Sequence, residues 1–224
     1  MPLIDATPTA LAPTVDPVTD KTSLLTSAAA VWAYPLWKAV HRAGVADDIA
    51  ADVAKWAECL EVEAISALDP YRRFAYIAGA LPEFRTLVHY RIRHIGMVQR
   101  LLLKKLYPGL STLTLEAGSI GPGLFIQHGL GSIITAEHIG KNCWINQHVS
   151  LGYTAKGRPV IGDNVRVGAG AAVLGPISIG NDVTIGANAT ILHDVAPGTV
   201  MVSPPAMTLE QAKTTRRAQL EPPA

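Results

Sequence analysis

Between Ile120 and Val195 this 224-residue chain repeats a pattern every six residues. Ile139, Ile145 and Leu151 fall at that spacing, and after one break the series resumes as Ile161, Val167, Val173, Ile179, Ile185 and Ile191. Four residues after most of these comes a second apolar or small residue: Cys143, Val149, Val165, Ala171, Ile177, Val183, Ala189 and Val195. A period of six matches neither the helix nor the plain strand. It suits a short strand, a tight turn and a change of direction, three times per coil of a triangular prism. The aliphatic residues then point inward, and Gly, Asn and Asp take the corners, where positive φ is needed. The expected form of this half is a left-handed parallel β-helix.

The first half has helical spacing instead. Residues 1–18, rich in Pro, Thr and Ala, read as a flexible leader. From Thr22 to Arg42 apolar residues recur at helical intervals, with Pro35 as a break or kink and Gly44 as the stop. Asp47 and Asp48 open a second helix with Val53, Trp56 and Leu60 on one face. Asp69-Pro70 has the form of an N-cap followed by proline. Pro82 opens a helix expected from Glu83 to Leu106, carrying Phe84, Leu87, Val88, Ile92, Ile95, Val98 and Leu102, until Tyr107-Pro108-Gly109 stops it. The predicted class is α + β: an α-helical domain over 19–110, a β-helix over 111–206 and a tail over 207–224.

Composition narrows the partners. A formal net charge of +1 with 49% hydrophobic residues gives no electrostatic basis for nucleic acid or an acidic membrane. The two cysteines, Cys59 and Cys143, make no disulfide framework or metal spacing, which points to a reducing, cytoplasmic setting. Cys143 occupies an inward slot. The start of the sequence lacks a basic region followed by an apolar run, so no signal peptide is expected, and no apolar stretch is long enough to span a membrane.

The period slips twice. Ile126 to Ile133 is read as seven residues, around Gln127-His128-Gly129, and Leu151 to Ile161 is ten. A solenoid accepts insertions only as loops off its faces, where binding sites gather. His128 stands at the first slip; Lys156 and Arg158 stand in the second.

These residues carry a resemblance. Gly121-Pro122-Gly123-Leu124-Phe125-Ile126-Gln127-His128-Gly129, then Ile145-Asn146-Gln147, Leu151-Gly152 and Val167-Gly168-Ala169-Gly170-Ala171 resemble the serine O-acetyltransferase family. Upstream, Asp69-Pro70, Phe84 and His89-Tyr90-Arg91-Ile92 are similar to it as well, so the resemblance covers roughly Asp69 to Ala206. It implies transfer of acetyl from acetyl-CoA to the hydroxyl of L-serine, with His128 as general base, since an imidazole titrating near neutrality suits removal of a hydroxyl proton. It implies Asp69, Arg158 and Gln127 as substrate-binding residues. It lays the acetyl-CoA arm along Gly152, Lys156, Gly168, Ala169, Gly170 and Ala171. It implies a homotrimer, with the helices as a surface for pairing trimers, and no metal.

Each role has a plainer counterpart. Asp69 is an N-cap in its own right, Arg158 and Lys156 sit in a solvated loop, and the glycines suit corners. His148, His138 and His193 read as surface histidines. The sequence also departs from the family pattern. Gln127 stands where an Asp usually precedes the histidine, Gly157-Arg158-Pro159 replaces Arg-His-Pro, and Ser203-Pro204-Pro205-Ala206-Met207 replaces Gly-Val-Pro-Ala-Arg. Glu116 and Glu137 are the carboxylates considered for orienting His128, and the orienting group is left open. Another hydroxy-amino acid or a sugar as acceptor, and a non-catalytic scaffold, are the rival readings. The Pro222-Pro223-Ala224 end lacks the C-terminal Ile with which family members dock into the next enzyme of cysteine synthesis, so no tight complex with O-acetylserine sulfhydrylase is expected.

Overall fold

The computed structural model describes residues 21–204 together with Ala206 and Thr208. The leader over 1–18 and, apart from Thr208, the tail from Met207 with its Pro222-Pro223-Ala224 end lie outside the described residues. Six helices come first: α1 (Lys21–Arg42), α2 (Ala46–Leu60), α3 (Glu63–Ser66), α4 (Pro70–Ala80), α5 (Pro82–Arg91) and α6 (Met97–Leu106). α1 runs through Pro35 without ending. Asp69 caps α4 as its sequence foretold, with a carboxylate oxygen accepting the Arg72 amide at 3.0 Å and Pro70 at the first turn. None of these helices is long and apolar enough to cross a membrane, among the described residues.

The single helix expected over 83–106 is two. α5 stops at Arg91, and residues 92–96 turn the chain before Gly96 caps α6. Arg93 donates to the Tyr90 carbonyl at 3.0 Å, satisfying a C-terminal group that a continuing helix would have used. α6 then turns most of its apolar residues outward. Val98 is 68% exposed and Leu102 57%, so neither belongs to the core their spacing suggested.

Fourteen short strands follow, three per coil. The first coil holds β1 (Thr114–Leu115), β2 (Ser119–Ile120) and β3 (Phe125–Ile126); the second β4 (Ile133–Ile134), β5 (His138–Ile139) and β6 (Trp144–Ile145). The third holds β7 (Ser150–Gly152), β8 (Val160–Ile161) and β9 (Arg166–Val167); the fourth β10 (Ala172–Leu174), β11 (Ser178–Ile179) and β12 (Thr184–Ile185). β13 (Thr190–Ile191) and β14 (Val200–Met201) close the stack. All pairings are parallel and form three sheets, β1-β4-β7-β10-β13, β2-β5-β8-β11 and β3-β6-β9-β12-β14. We call these faces A, B and C of a left-handed β-helix of about five turns. Each inward aliphatic residue of the six-residue series is buried, as is the second set. Burial pushes the Cys143 thiol up to about 11, in keeping with a core residue. Filling one such slot with Val or Ile contributes about 1.5–3 kcal/mol.

The first slip differs from its sequence reading. Ile134, not Ile133, is the inward residue, pairing with Leu151, while Ile133 is 50% exposed. The turn after Ile126 is therefore longer by one residue, and the side from Ile134 to Ile139 is shorter by one. Two adjacent isoleucines satisfy the period equally well, and only the strand pairing decides between them.

Helices and prism share one hydrophobic core. At its centre Asp52 of α2 receives Arg91 of α5 through two bonds, at 2.9 and 3.0 Å. One Asp52 oxygen also accepts the Gly123 and Leu124 amides at 2.8 and 3.2 Å. Arg91 donates in turn to the Ile120 and Gly121 carbonyls, and Trp56 donates to the Leu124 carbonyl at 2.7 Å. Burial pushes the Asp52 carboxyl up, while Arg91 and the two amides pull it back. Arg91→Met, which strands Asp52 without its cation, is expected to lower the unfolding free energy by about 3–5 kcal/mol. Urea denaturation checks this. The double variant Asp52→Asn/Arg91→Met should lose less than the two single losses added together.

Candidate active site

The three corners of the prism sort the candidate residues. His128 lies on the edge between faces C and A, just after β3. Its φ is +63°, so it sits in the left-handed region, and its ring is exposed. The corner beneath it is filled from the helical side: Leu110 and Leu113 both press on the next residue, where a Cβ on Gly129 would come within 3.2 and 3.3 Å of them. His148 occupies the same edge one coil on. Its amide donates to the Leu130 carbonyl at 2.8 Å, and its ring lies against Gly131, where an added Cβ would meet Nδ1 at 2.7 Å.

Gly168, Ala169 and Gly170 come one coil further along that edge, between β9 and β10. With coils about 4.8 Å apart, they stand roughly 10 Å from His128. A Cβ on Gly170 would meet the Asn188 side chain at 2.3 Å, so coil stacking alone demands that glycine. Ala171 is fully buried. Its methyl fills the core and offers nothing to a cofactor, and its amide and carbonyl are taken by the Gly168 carbonyl and the Ser150 amide.

Arg158 stands on a different edge. The loop 152–159 bulges between faces A and B, closed by paired bonds between Thr154 and Gly157. Arg158 donates to the Glu116 carbonyl at 3.2 Å and lies near the Tyr153 ring. Gly152 sits at the root of the loop, and Lys156 is exposed in it. One prism side of six residues spans roughly 15–20 Å, so Arg158 and His128 of one chain do not meet. Asp69 belongs to the helical half. It caps α4 at the end opposite Leu81, the junction with α5, and pairs with Arg72 at 3.5 Å. Gln127 is half-buried on face C, its Oε1 accepting Trp144 Nε1–H at 3.1 Å. It ends an aromatic row of Trp56, Phe125 and Trp144, each ring about 5 Å from the next.

Residues 158–193 match the family of bacterial transferase hexapeptides (six repeats). A serine acetyltransferase of Synechococcus elongatus is 41% identical over 105 residues, 42% of this chain and 43% of that protein. The serine acetyltransferase of Helicobacter pylori is 38% identical over 139 residues, 57% of this chain and 81% of the relative. Serine acetyltransferase isoform 3 of Entamoeba histolytica, solved in complex with cysteine, superposes with a TM-score of 0.57 at 27% identity, over 87% of this chain and 76% of that one.

The chain belongs to the serine acetyltransferase family.

It spans less than half the length of the first curated relatives it matches, 43% of the Synechococcus protein and 32% of a rice relative. Against the serine acetyltransferase pattern, two carboxylates considered for orienting His128 do not reach it within one chain. Glu116 and Glu137 both lie between faces A and B, on the edge away from His128.

A carboxylate that sequence reasoning missed does reach the right corner. Glu83, in the first turn of α5, is only 8% exposed and has His128 within electrostatic reach. Its spacing on a helix gives no hint of this, because the neighbour is supplied by the docking of α5 on the first coil. The only signal available was a charged residue inside an apolar helical stretch. Nearby, a cavity of about 550 Å³ opens between α5, α6 and β1. Arg93, Arg100 and Lys104 line it, and its wall includes the same Leu110 and Leu113 that press on Gly129.

Proposed function

We propose that this chain is an acetyl-CoA-dependent O-acetyltransferase that acetylates the hydroxyl of L-serine. The observation that carries the reading is His128. It is an exposed imidazole in a left-handed corner at the longest turn on its edge, with backbone of small residues further along the same edge. Acetyl-CoA, when bound, supplies an activated acetyl thioester. The small residues Gly168, Ala169 and Gly170 fit a narrow arm, since no large side chain stands between it and the backbone. Lys156 would meet its phosphates. His128 takes the proton of the acceptor hydroxyl as the new C–O bond forms, and gives it to the sulfur as the C–S bond breaks. No covalent enzyme intermediate is required.

The site we propose is shared between copies. Arg158 and Asp69 would hold the carboxylate and ammonium of the amino acid, and Arg158 stands one prism face from His128 of its own chain. A neighbouring prism that sets its A–B edge against the C–A edge of the first joins them. Exposed apolar residues flank both edges: Leu130 and Ile133 beside His128, Tyr153 and Val160 beside Arg158. We infer a trimer of prisms, with α6 as a further surface for pairing trimers. The reading includes a cytoplasmic setting, in keeping with two free cysteines. One observation favours a bulkier hydroxylated acceptor as the second reading: the basic cavity beside Leu113 is larger than serine needs.

A thiol-release assay with acetyl-CoA and a panel of L-serine, other hydroxy-amino acids and sugars tests the reading. Release with L-serine supports it, and release with sugars alone overturns the acceptor. His128→Ala is expected to lower kcat on the order of 10²–10⁴-fold with little change in acetyl-CoA affinity, measured by steady-state kinetics and calorimetry. Arg158→Ala is expected chiefly to raise KM for the amino acid. Because the two residues act from different chains, refolding His128→Ala subunits together with Arg158→Ala subunits should restore part of the activity that neither variant has alone.

A further inference from the structure

The catalytic reading above leaves His128 without the carboxylate that an imidazole base ordinarily uses to fix its tautomer. The residue before it, Gln127, carries no charge and is engaged by Trp144. Within one chain, Glu116 and Glu137 stand on another edge of the prism. We propose that Glu83 is the positioning carboxylate of His128, delivered from the helical half of the chain rather than from the prism.

The placement is built by three contacts. The Leu110 amide donates to the Pro82 carbonyl at 3.2 Å and to Thr86 Oγ1 at 2.9 Å, which fixes the first turn of α5 against the segment leading into the prism. The Leu110 side chain then presses on Gly129, next to His128. The same turn carries Glu83, and His128 lies within its electrostatic reach. A buried carboxylate is costly unless something compensates its charge. Glu83 has no ion pair among the described residues: its carboxylate accepts its own amide, and the charges within reach are His128 and Arg85. Arg85 is already spent on the carbonyls of Pro108, Ala78 and Gly79, at 2.7, 2.6 and 3.1 Å. Burial pushes the Glu83 carboxyl up, and the bond to its own amide, then His128 and Arg85, draw it back down. His128 is the other charge within its reach. In the free chain no direct hydrogen bond joins the two, and catalytic bonds of this kind commonly tighten only when substrate is bound. Rotation of the exposed imidazole brings one ring N–H to Glu83 and turns the other nitrogen, unprotonated, toward the acceptor hydroxyl.

The proposal rests on His128 being the base, so the test separates the two. Glu83→Gln keeps size and burial but removes the charge. It is expected to lower kcat on the order of 10²-fold while both KM values stay within about twofold, and Glu83→Asp should recover part of the loss. In a His128→Ala background, Glu83→Gln should cost no more than about a further twofold, because a positioning group has nothing left to position. An equal cost in both backgrounds would mean that Glu83 acts through the fold, and a near-normal kcat for Glu83→Gln would remove it from the site. Should the wild-type protein acetylate nothing, nitrogen-15 spectra of the imidazoles decide the pairing alone. A single His128 tautomer in wild type that becomes mixed in Glu83→Gln supports it, and unchanged spectra overturn it.

Discussion

The contact between Asp52 and Arg91 is what makes two kinds of structure into one molecule. A β-helix needs only its own stacked coils to hold its shape, but its first coil exposes an open end. In this chain the carbonyls of Ile120, Gly121 and Leu124 and the amides of Gly123 and Leu124 are bonded by side chains of α2 and α5. An unpaired backbone group in a dry setting costs about as much as a lost hydrogen bond. The helices therefore act as the cap of the solenoid. The ion pair is buried, so its own net contribution is small, and its stronger effect is on geometry. It fixes the backbone that leads to His128.

The prism imposes the opposite kind of discipline. Every coil passes its backbone bonds to the next, so a face cannot change length without breaking its neighbours. Variation is confined to the edges. The Asn164–Asp182 bond at 2.9 Å shows how closely stacked corners follow one another on the edge between faces B and C. The long turn after β3 and the bulge after β7 lie on the other two edges, and each carries chemistry-bearing residues at its tip. Placing them on separate edges means that a site using both is made from two chains.

Most of the solenoid was legible because its period is set by backbone stacking, which admits one inward residue per side. The Asp69-Pro70 cap was legible for a similar reason, since proline and a short acceptor fit a helix start locally. Three things were not. Ile133 and Ile134 are both suitable inward residues, and the choice depends on the partner strand. The stretch 83–106 is apolar at helical spacing throughout, yet Arg91 is needed at the prism and the chain turns after it. Leu101, Leu102 and Leu106 keep the helical period on a face that none of the described residues covers. The candidate site divided the same way: His128 and Arg158 were marked by slips in the period, while Glu83 was marked only as a charge inside an apolar helical stretch.

That last difference follows from where the charges come from. A carboxylate adjacent to the base in sequence travels with the prism, and any scaffold of the same repeat carries it. With Gln127 in that place, bonded into the Trp144 row, the prism edge of one chain offers an imidazole alone. Glu83, a charge within its reach, belongs to α5, and α5 is held in place by Arg91, eight residues further along the same helix. The Asp52–Arg91 pair and the Glu83–His128 corner thus lie at opposite ends of one short helix. A helix of ten residues is about 15 Å long and nearly rigid. Loosening the pair at one end must therefore displace the carboxylate at the other, so the docking that caps the solenoid and the electrostatics of the candidate base are set by the same element.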